Sequence, residues 1–190
     1  MTEKQNFVME KQQNVAICMF DLGDGRFVSE LPDNQKFRSL IVDVDEHRGI
    51  ALGICPTLMM LPWSYAPLEI DTSGMVSGRE ATAELLQQAT KQGVELAAAA
   101  FCANYNGFGV KPGEAFLPSR FELSILLARE RSLKAALARI GFNKCSYTFW
   151  SSSVGMDSRV WMQSLSSYSV SDWKSQLQTF GVMPMIEIVL

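Results

Sequence analysis

One histidine, four scattered cysteines, three acids ahead of a glycine and a serine-rich stretch are the residues of this chain that could do chemistry. Because His47 is the single histidine, no two-histidine zinc site and no HExxH motif can be built, and any histidine-based triad must use this one residue. No local sequence resembles a nucleophile elbow. Cys18, Cys55, Cys102 and Cys145 lie far apart without a CxxC pair, which supports neither a zinc ribbon nor a thioredoxin-type redox site. They read as small buried apolar residues. Asp43, Asp45 and Glu46 precede Gly49 and could offer calcium several oxygens, but their spacing is not that of an EF-hand, and acids are common at hairpin turns. No metal and no cofactor is expected, and the chain reads as a non-enzyme.

The stretch 151–175 carries a different chemistry. Ten of its twenty-five residues are serine and only four are charged, with Tyr168 and Trp173 set among them. Tyr and Trp give contact area at low entropy cost while small hydroxyls adapt their hydrogen bonds, which is the composition of recognition loops; a solvated linker has a similar one. Taken as a site, its anchors are Tyr168 and Trp173, with Asp157 and Arg159 as polar contacts. Trp150 and Trp161 are expected in the core instead. Arg129, Arg131, Lys134 and Arg139 could meet an anionic glycan, although a solvated helix face is the simpler account.

The elements that must position these residues follow from pattern. Residues 1–13 are rich in Gln, Asn, Lys and Glu, with Phe7, Val8 and Met9 as their apolar anchors, and read as an arm outside the core. Residues 15–20 and 26–31 flank Leu22-Gly23-Asp24-Gly25, and residues 37–44 and 49–55 flank Asp45-Glu46-His47-Arg48, giving two β-hairpins. Helical spacing then runs from 79 to 105 with an interruption at Gly93. Ser119 and Glu122 form an S-x-x-E capping box that starts another helix, striped by Leu123, Leu126, Leu127, Leu133 and Leu137, with a break near Ser132 and a stop at Gly141. Residues 149–152, 160–165 and 185–189 read as short strands between serine-rich loops. A charge-free run from Gly49 to Leu68 is broken by Pro56, Pro62 and Pro67, so it is not a transmembrane helix.

Size and charge fit this reading. At 190 residues the chain can bury a core without disulfide or metal help. Its net charge of −3 gives no global footprint for nucleic acid or an acidic membrane. Charged residues make up 19% of the chain, so part of its surface is open to being covered by partners. The N-terminal sequence has no apolar core of the kind a standard secretory signal carries.

Phe116-Leu117-Pro118-Ser119 followed by Glu122-Leu123, then a helix, then Phe149-Trp150-Ser151-Ser152-Ser153 and Val160-Trp161, resembles the pattern of C-type-lectin-like domains in bacterial surface proteins and bacteriophage or prophage proteins. The resemblance covers roughly residues 15–189. It implies an α+β fold of the C-type-lectin-like kind, with residues 1–13 as an arm and 14–190 as the domain. The WND and EPN triplets of calcium-dependent sugar binding are absent. In such domains the late loops bind, which gives Asp157, Arg159, Tyr168 and Trp173 a second support. The implied role is a recognition module, a virion surface or fibre protein binding a host glycan or protein; the alternative is a purely structural decoration or fibre-assembly protein. The implied partners are copies of itself, a trimer favoured, and other virion proteins, with no nucleic acid and no membrane insertion. The location implied is the virion, or alternatively the bacterial cell surface.

Overall fold

The computed structural model describes residues 14–32, 34–139, 148–165 and 170–190. The fold is α+β, with four helices and two sheets, one antiparallel and one mixed, among the described residues. The anticipated arm, Gly141, Cys145 and Tyr168 lie outside the described residues.

The first hairpin is β1 (Phe20–Asp21) with β2 (Phe27–Val28), far shorter than the sequence suggested. Gly23 and Gly25 adopt φ of 82° and 87°, which the tight turn needs and larger residues resist. The second hairpin is β3 (Ser39–Asp45) with β4 (Ile50–Ile54), and its strands match the pattern closely. Next comes β5 (Met59–Pro62), which the charge-free run concealed. Helix α1 (Gly78–Gln92) starts at Ser77, whose side chain accepts from the Glu80 amide, and stops at Gly93 in the left-handed region. Helix α2 (Ala97–Ala103) is followed by β6 (Ala115–Phe116). The capping box of Ser119 and Glu122 is formed as anticipated and opens α3 (Arg120–Ala128). The helical run breaks at Arg129 rather than Ser132, and α4 (Glu130–Arg139) continues it.

The strands anticipated at 149–152 and 160–165 form, the first running on to Val154, and a further strand at Ser171–Lys174 was not anticipated. β7 (Thr148–Val154), β8 (Val160–Ser164) and β9 (Ser171–Lys174) pair as an antiparallel meander. Ser151, Ser152 and Ser153 are fully buried. The Ser152 backbone and the Ser153 hydroxyl find partners in other segments: Thr72 Oγ1 donates to Ser152 O at 2.6 Å, the Ser152 amide donates to Pro118 O at 2.8 Å, and the Arg120 amide donates to Ser153 Oγ at 3.0 Å. Buried polar groups are tolerated when satisfied in this way. The chain closes with β10 (Thr179–Val182) and β11 (Met185–Val189).

Sheet order explains how the halves join. The antiparallel sheet runs β2-β1-β3-β4-β11-β6 and the mixed sheet runs β5-β10-β7-β8-β9, with β10 and β7 parallel. Residues 179–189 therefore place one interior strand in each sheet. One core cluster unites Leu40, Val42, Phe116, Leu123, Leu126, Leu133 and Phe149, between the antiparallel sheet and α3 and α4. A second unites Trp63, Leu85, Ala99, Trp150, Met162 and Val182, between the mixed sheet and α1 and α2. A third covers the far face of the antiparallel sheet with Ile41, Ala51, Ile186, Ile188 and Tyr105. A register shift between Ile41 and Asp43 turns Val44 to that far face and lets Asp43 meet Arg129 of the helix pair, at 2.5 Å. Arg129 is thus tied to the sheet, whereas Arg131, Lys134 and Arg139 remain on the exposed side of α4.

Candidate functional site

Three of the four side chains singled out from sequence, Asp157, Arg159 and Trp173, meet at one end of the mixed sheet; Tyr168 lies outside the described residues. β7 and β8 are joined by a turn in which the Gly155 amide donates to Arg159 O at 2.9 Å and the Ser158 amide to Gly155 O at 2.9 Å. Ser158 sits at φ 60°, a conformation few side chains favour. Asp157 and Arg159 both occupy this turn and pair with one another at 2.5 Å. The Arg159 guanidinium holds the Asp157 carboxyl below its ordinary range, chiefly through their side-chain hydrogen bond. Both are about half exposed, so the pair shapes the turn more than it stabilises the fold.

Trp173 lies on β9, directly opposite Trp161 on β8, and the rings meet edge to face with centroids 5.3 Å apart at 72°. This geometry suits the aromatic quadrupole. The turn backs onto this pair, since a Cβ added at Gly155 would stand 3.4 Å from the Trp173 ring. Asp157, Arg159 and Trp173 are therefore brought together. Trp161, expected in the core, is only half-buried, because strand alternation puts it on the face opposite Val160 and Met162. Trp150 is fully buried, and its indole N–H donates to Leu61 O at 3.2 Å.

That opposite face is the one α3 covers. Phe149 pairs in register with Gln163 and packs with Leu123 and Leu126, and Trp161 shares the face of Gln163. Three polar contacts run across it: Arg120 amide to Ser153 Oγ at 3.0 Å, Ser153 amide to Ser151 Oγ at 3.1 Å, and Ser151 Oγ to Trp161 O at 2.8 Å.

A concavity elsewhere escaped sequence reading. A cleft of about 660 Å³ opens between α1, α3 and the antiparallel sheet, with Asp43, Asp45, Glu80, Glu122 and Glu187 set against Arg48 and Arg79. Arg79 is anchored to Glu187 at 2.9 Å and to Glu114 O at 3.0 Å. Glu122 is the buried group here: one oxygen accepts the Ser119 amide at 2.7 Å and the other the Gly78 amide at 3.1 Å, so one carboxyl caps two helices. Burial outweighs those bonds and pushes Glu122 up to about 7. The capping motif announced its bond to Ser119, but the reach to Gly78 spans 44 residues and has no local signal.

Gln176 was likewise unannounced. It is buried, and its amide accepts from the Leu68 N–H at 2.7 Å and donates to Leu68 O and Ser158 O, each at 2.8 Å, fixing the turn that carries Asp157. His47 stands exposed at the β3–β4 turn, its amide bonded to Asp45 Oδ1 at 3.1 Å. Among the described residues no cluster of three or more His, Cys, Asp or Glu is placed to hold a metal ion. Burial pushes the Cys55 thiol up to about 12 and the Cys102 thiol well above its ordinary value, while Cys18 is half-buried. No described helix is long and apolar enough to cross a membrane.

The chain matches no protein-family model and no curated protein. Among solved structures it is similar to a fimbrial protein from Bacteroides ovatus, at 13% sequence identity and a TM-score of 0.69. The likeness covers 92% of this chain and 49% of that one, so the chain spans about half the length of the structure it resembles.

Proposed function

We propose that the chain is a non-enzymatic module of a bacterial surface fibre, built to assemble or adhere. The observation that carries this reading is the shared fold, which extends over nearly the whole chain and reaches a protein described as fimbrial. The likeness favours the cell-surface alternative over the virion. Fold alone does not dictate function, so the site must agree with it. In support of it, His47 stands apart on an exposed turn, and burial keeps the thiols of Cys55 and Cys102 protonated. Within this reading the C-type-lectin-like assignment rests on the Leu117-Pro118-Ser119 and Trp150-Ser151 motifs, and the partners are further copies of the chain and other fibre subunits.

The experiment is immunogold electron microscopy of the source cells with antibody raised against the purified chain, paired with fractionation. Label on filaments or the outer surface is the expected result. Label confined to the cytosol overturns the proposal. Recognition through the β7–β8 turn is a second reading, favoured by the exposed Asp157–Arg159 pair beside Trp173.

A further inference from the structure

Where the chain leaves β5 it runs beside the start of α2 and is fastened to it twice: the Tyr65 amide donates to Glu95 O at 3.1 Å and the Ala98 amide to Trp63 O at 3.2 Å. Between the two segments lies a groove of about 380 Å³, open to solvent and within the size range of small-molecule sites. Helix α2 turns one face to it, because Ala97, Ala100, Phe101 and Asn104 recur at the spacing of a single helical face. The two alanines project too little to fill the space, which leaves the groove open above them. Tyr65 lines it from the β5 side and is 59% exposed.

The polar side chains along this groove are uncommitted. Among the described residues the side chains of Glu95, Asn104 and Asn106 have no hydrogen-bond or ion-pair partner, and all three are exposed. A side-chain amide both donates and accepts, whereas a carboxylate only accepts. A ligand that answers all three therefore carries several groups that do both, with a donor for Glu95. No Lys, Arg or His lines the groove and its one charge is negative, so an anion is repelled. A cation would answer Glu95 alone and leave the two amides to water. Tyr65 and Phe101 add an apolar side, since the negative face of an aromatic ring attracts polarised C–H bonds. Hydroxyls set around a face of C–H bonds, with no charge, are the chemistry of a neutral sugar.

We propose that the groove between the end of β5 and α2 is a binding site for a neutral saccharide. A pyranose ring stacks its C–H face on Tyr65 with Phe101 at its flank, and its hydroxyls bond to Asn104, Asn106 and Glu95. The site shares no residue with the Asp157–Arg159 turn and does not depend on the fibre reading, which stands or falls by where the protein is found.

The test follows side-chain amide signals of the full ¹⁵N-labelled chain by NMR at constant ionic strength. Glucose, galactose, mannose, N-acetylglucosamine, sodium glucuronate and a capped glycine–serine peptide are titrated separately. At least one of the four neutral sugars is expected to shift the Asn104 and Asn106 signals saturably, while the Gln176 amide, already bonded to Leu68 O, stays in place. Glucuronate, a sugar ring with a negative charge, should bind more weakly by about tenfold or more. Tyr65→Ala should weaken binding of the responding sugar by about tenfold or more with an unchanged melting temperature, and Tyr65→Phe, which keeps the ring, should retain it. No saturable shift with any of the neutral sugars overturns the proposal. Equal affinity for glucuronate or for the peptide overturns the assigned class. Parental affinity in Tyr65→Ala overturns the stacking geometry, and should that variant fail to fold, Asn104→Ala decides by the same measure.

Discussion

Trp150 and Trp173 separate the two uses this chain makes of tryptophan. Trp150 is fully enclosed, edge-on to Phe180 with centroids 4.7 Å apart, so Trp150→Ala leaves a cavity and should cost about 3–5 kcal/mol in a urea denaturation series. Trp173→Ala empties a half-buried position at one end of the sheet, and the same series should show a loss of under half that size. Glu122 makes a prediction in pH. Its carboxyl is raised from about 4.5 to about 7, so the folded state holds the proton more tightly than the unfolded one. Its contribution is fully present below pH 4.5 and is lost as pH rises through 7, for a total of about 3 kcal/mol. Melting temperature should accordingly fall between pH 5 and 8, and Glu122→Gln should flatten that slope. The variant should also start from a lower baseline, because its amide NH₂ faces one of the two backbone donors that the carboxyl now satisfies.

At the level of elements, the junction of α1 and α3 is tight enough to demand glycine. A Cβ on Gly78 would run into the Glu122 carboxylate and stand 2.7 Å from both Leu117 O and Ser119 N. Gly78→Ala, ordinarily mild at a helix start, should lower the melting temperature by several degrees, and a thermal scan beside Gly74→Ala, where nothing is near, checks it. The same contrast between local and distant causes explains what the sequence disclosed. The turn glycines at 23 and 25, the Ser119 capping box and the leucine stripe of α3 and α4 act on near neighbours, and they could be read directly. β5 and β10 could not, since they pair with one another across more than a hundred residues and β10 also needs β7. The burial of the β7 serines was hidden for the same reason: Thr72, Pro118 and Arg120 supply bonds to that segment, and all three are remote in sequence. Of the candidate site, the sequence disclosed the residue types at 157, 159 and 173. It did not disclose Gln176, whose bonds to Leu68 O and Ser158 O reach across 108 and 18 residues.

Across the whole molecule the three apolar clusters share their elements. β3 feeds Leu40 and Val42 to one and Ile41 to another, and the β7 neighbours Phe149 and Trp150 serve the first and second. Loss of one cluster strips support from the next, so unfolding followed by tryptophan fluorescence and by far-ultraviolet circular dichroism should give coincident transitions, and two separated midpoints would show independent halves. The placement of β10 and β11 bears on how the chain comes to be folded at all. Both sheets keep an interior vacancy until residues 179–189 arrive, and contacts of such long sequence separation form slowly. A ribosome or a channel that feeds this chain from its N-terminus therefore handles an open, unlocked polypeptide until residues 179–189 follow the rest of the domain. Folding is deferred to the moment those residues emerge, which keeps the chain threadable and makes it dependent, until then, on whatever shields its unpaired strand edges.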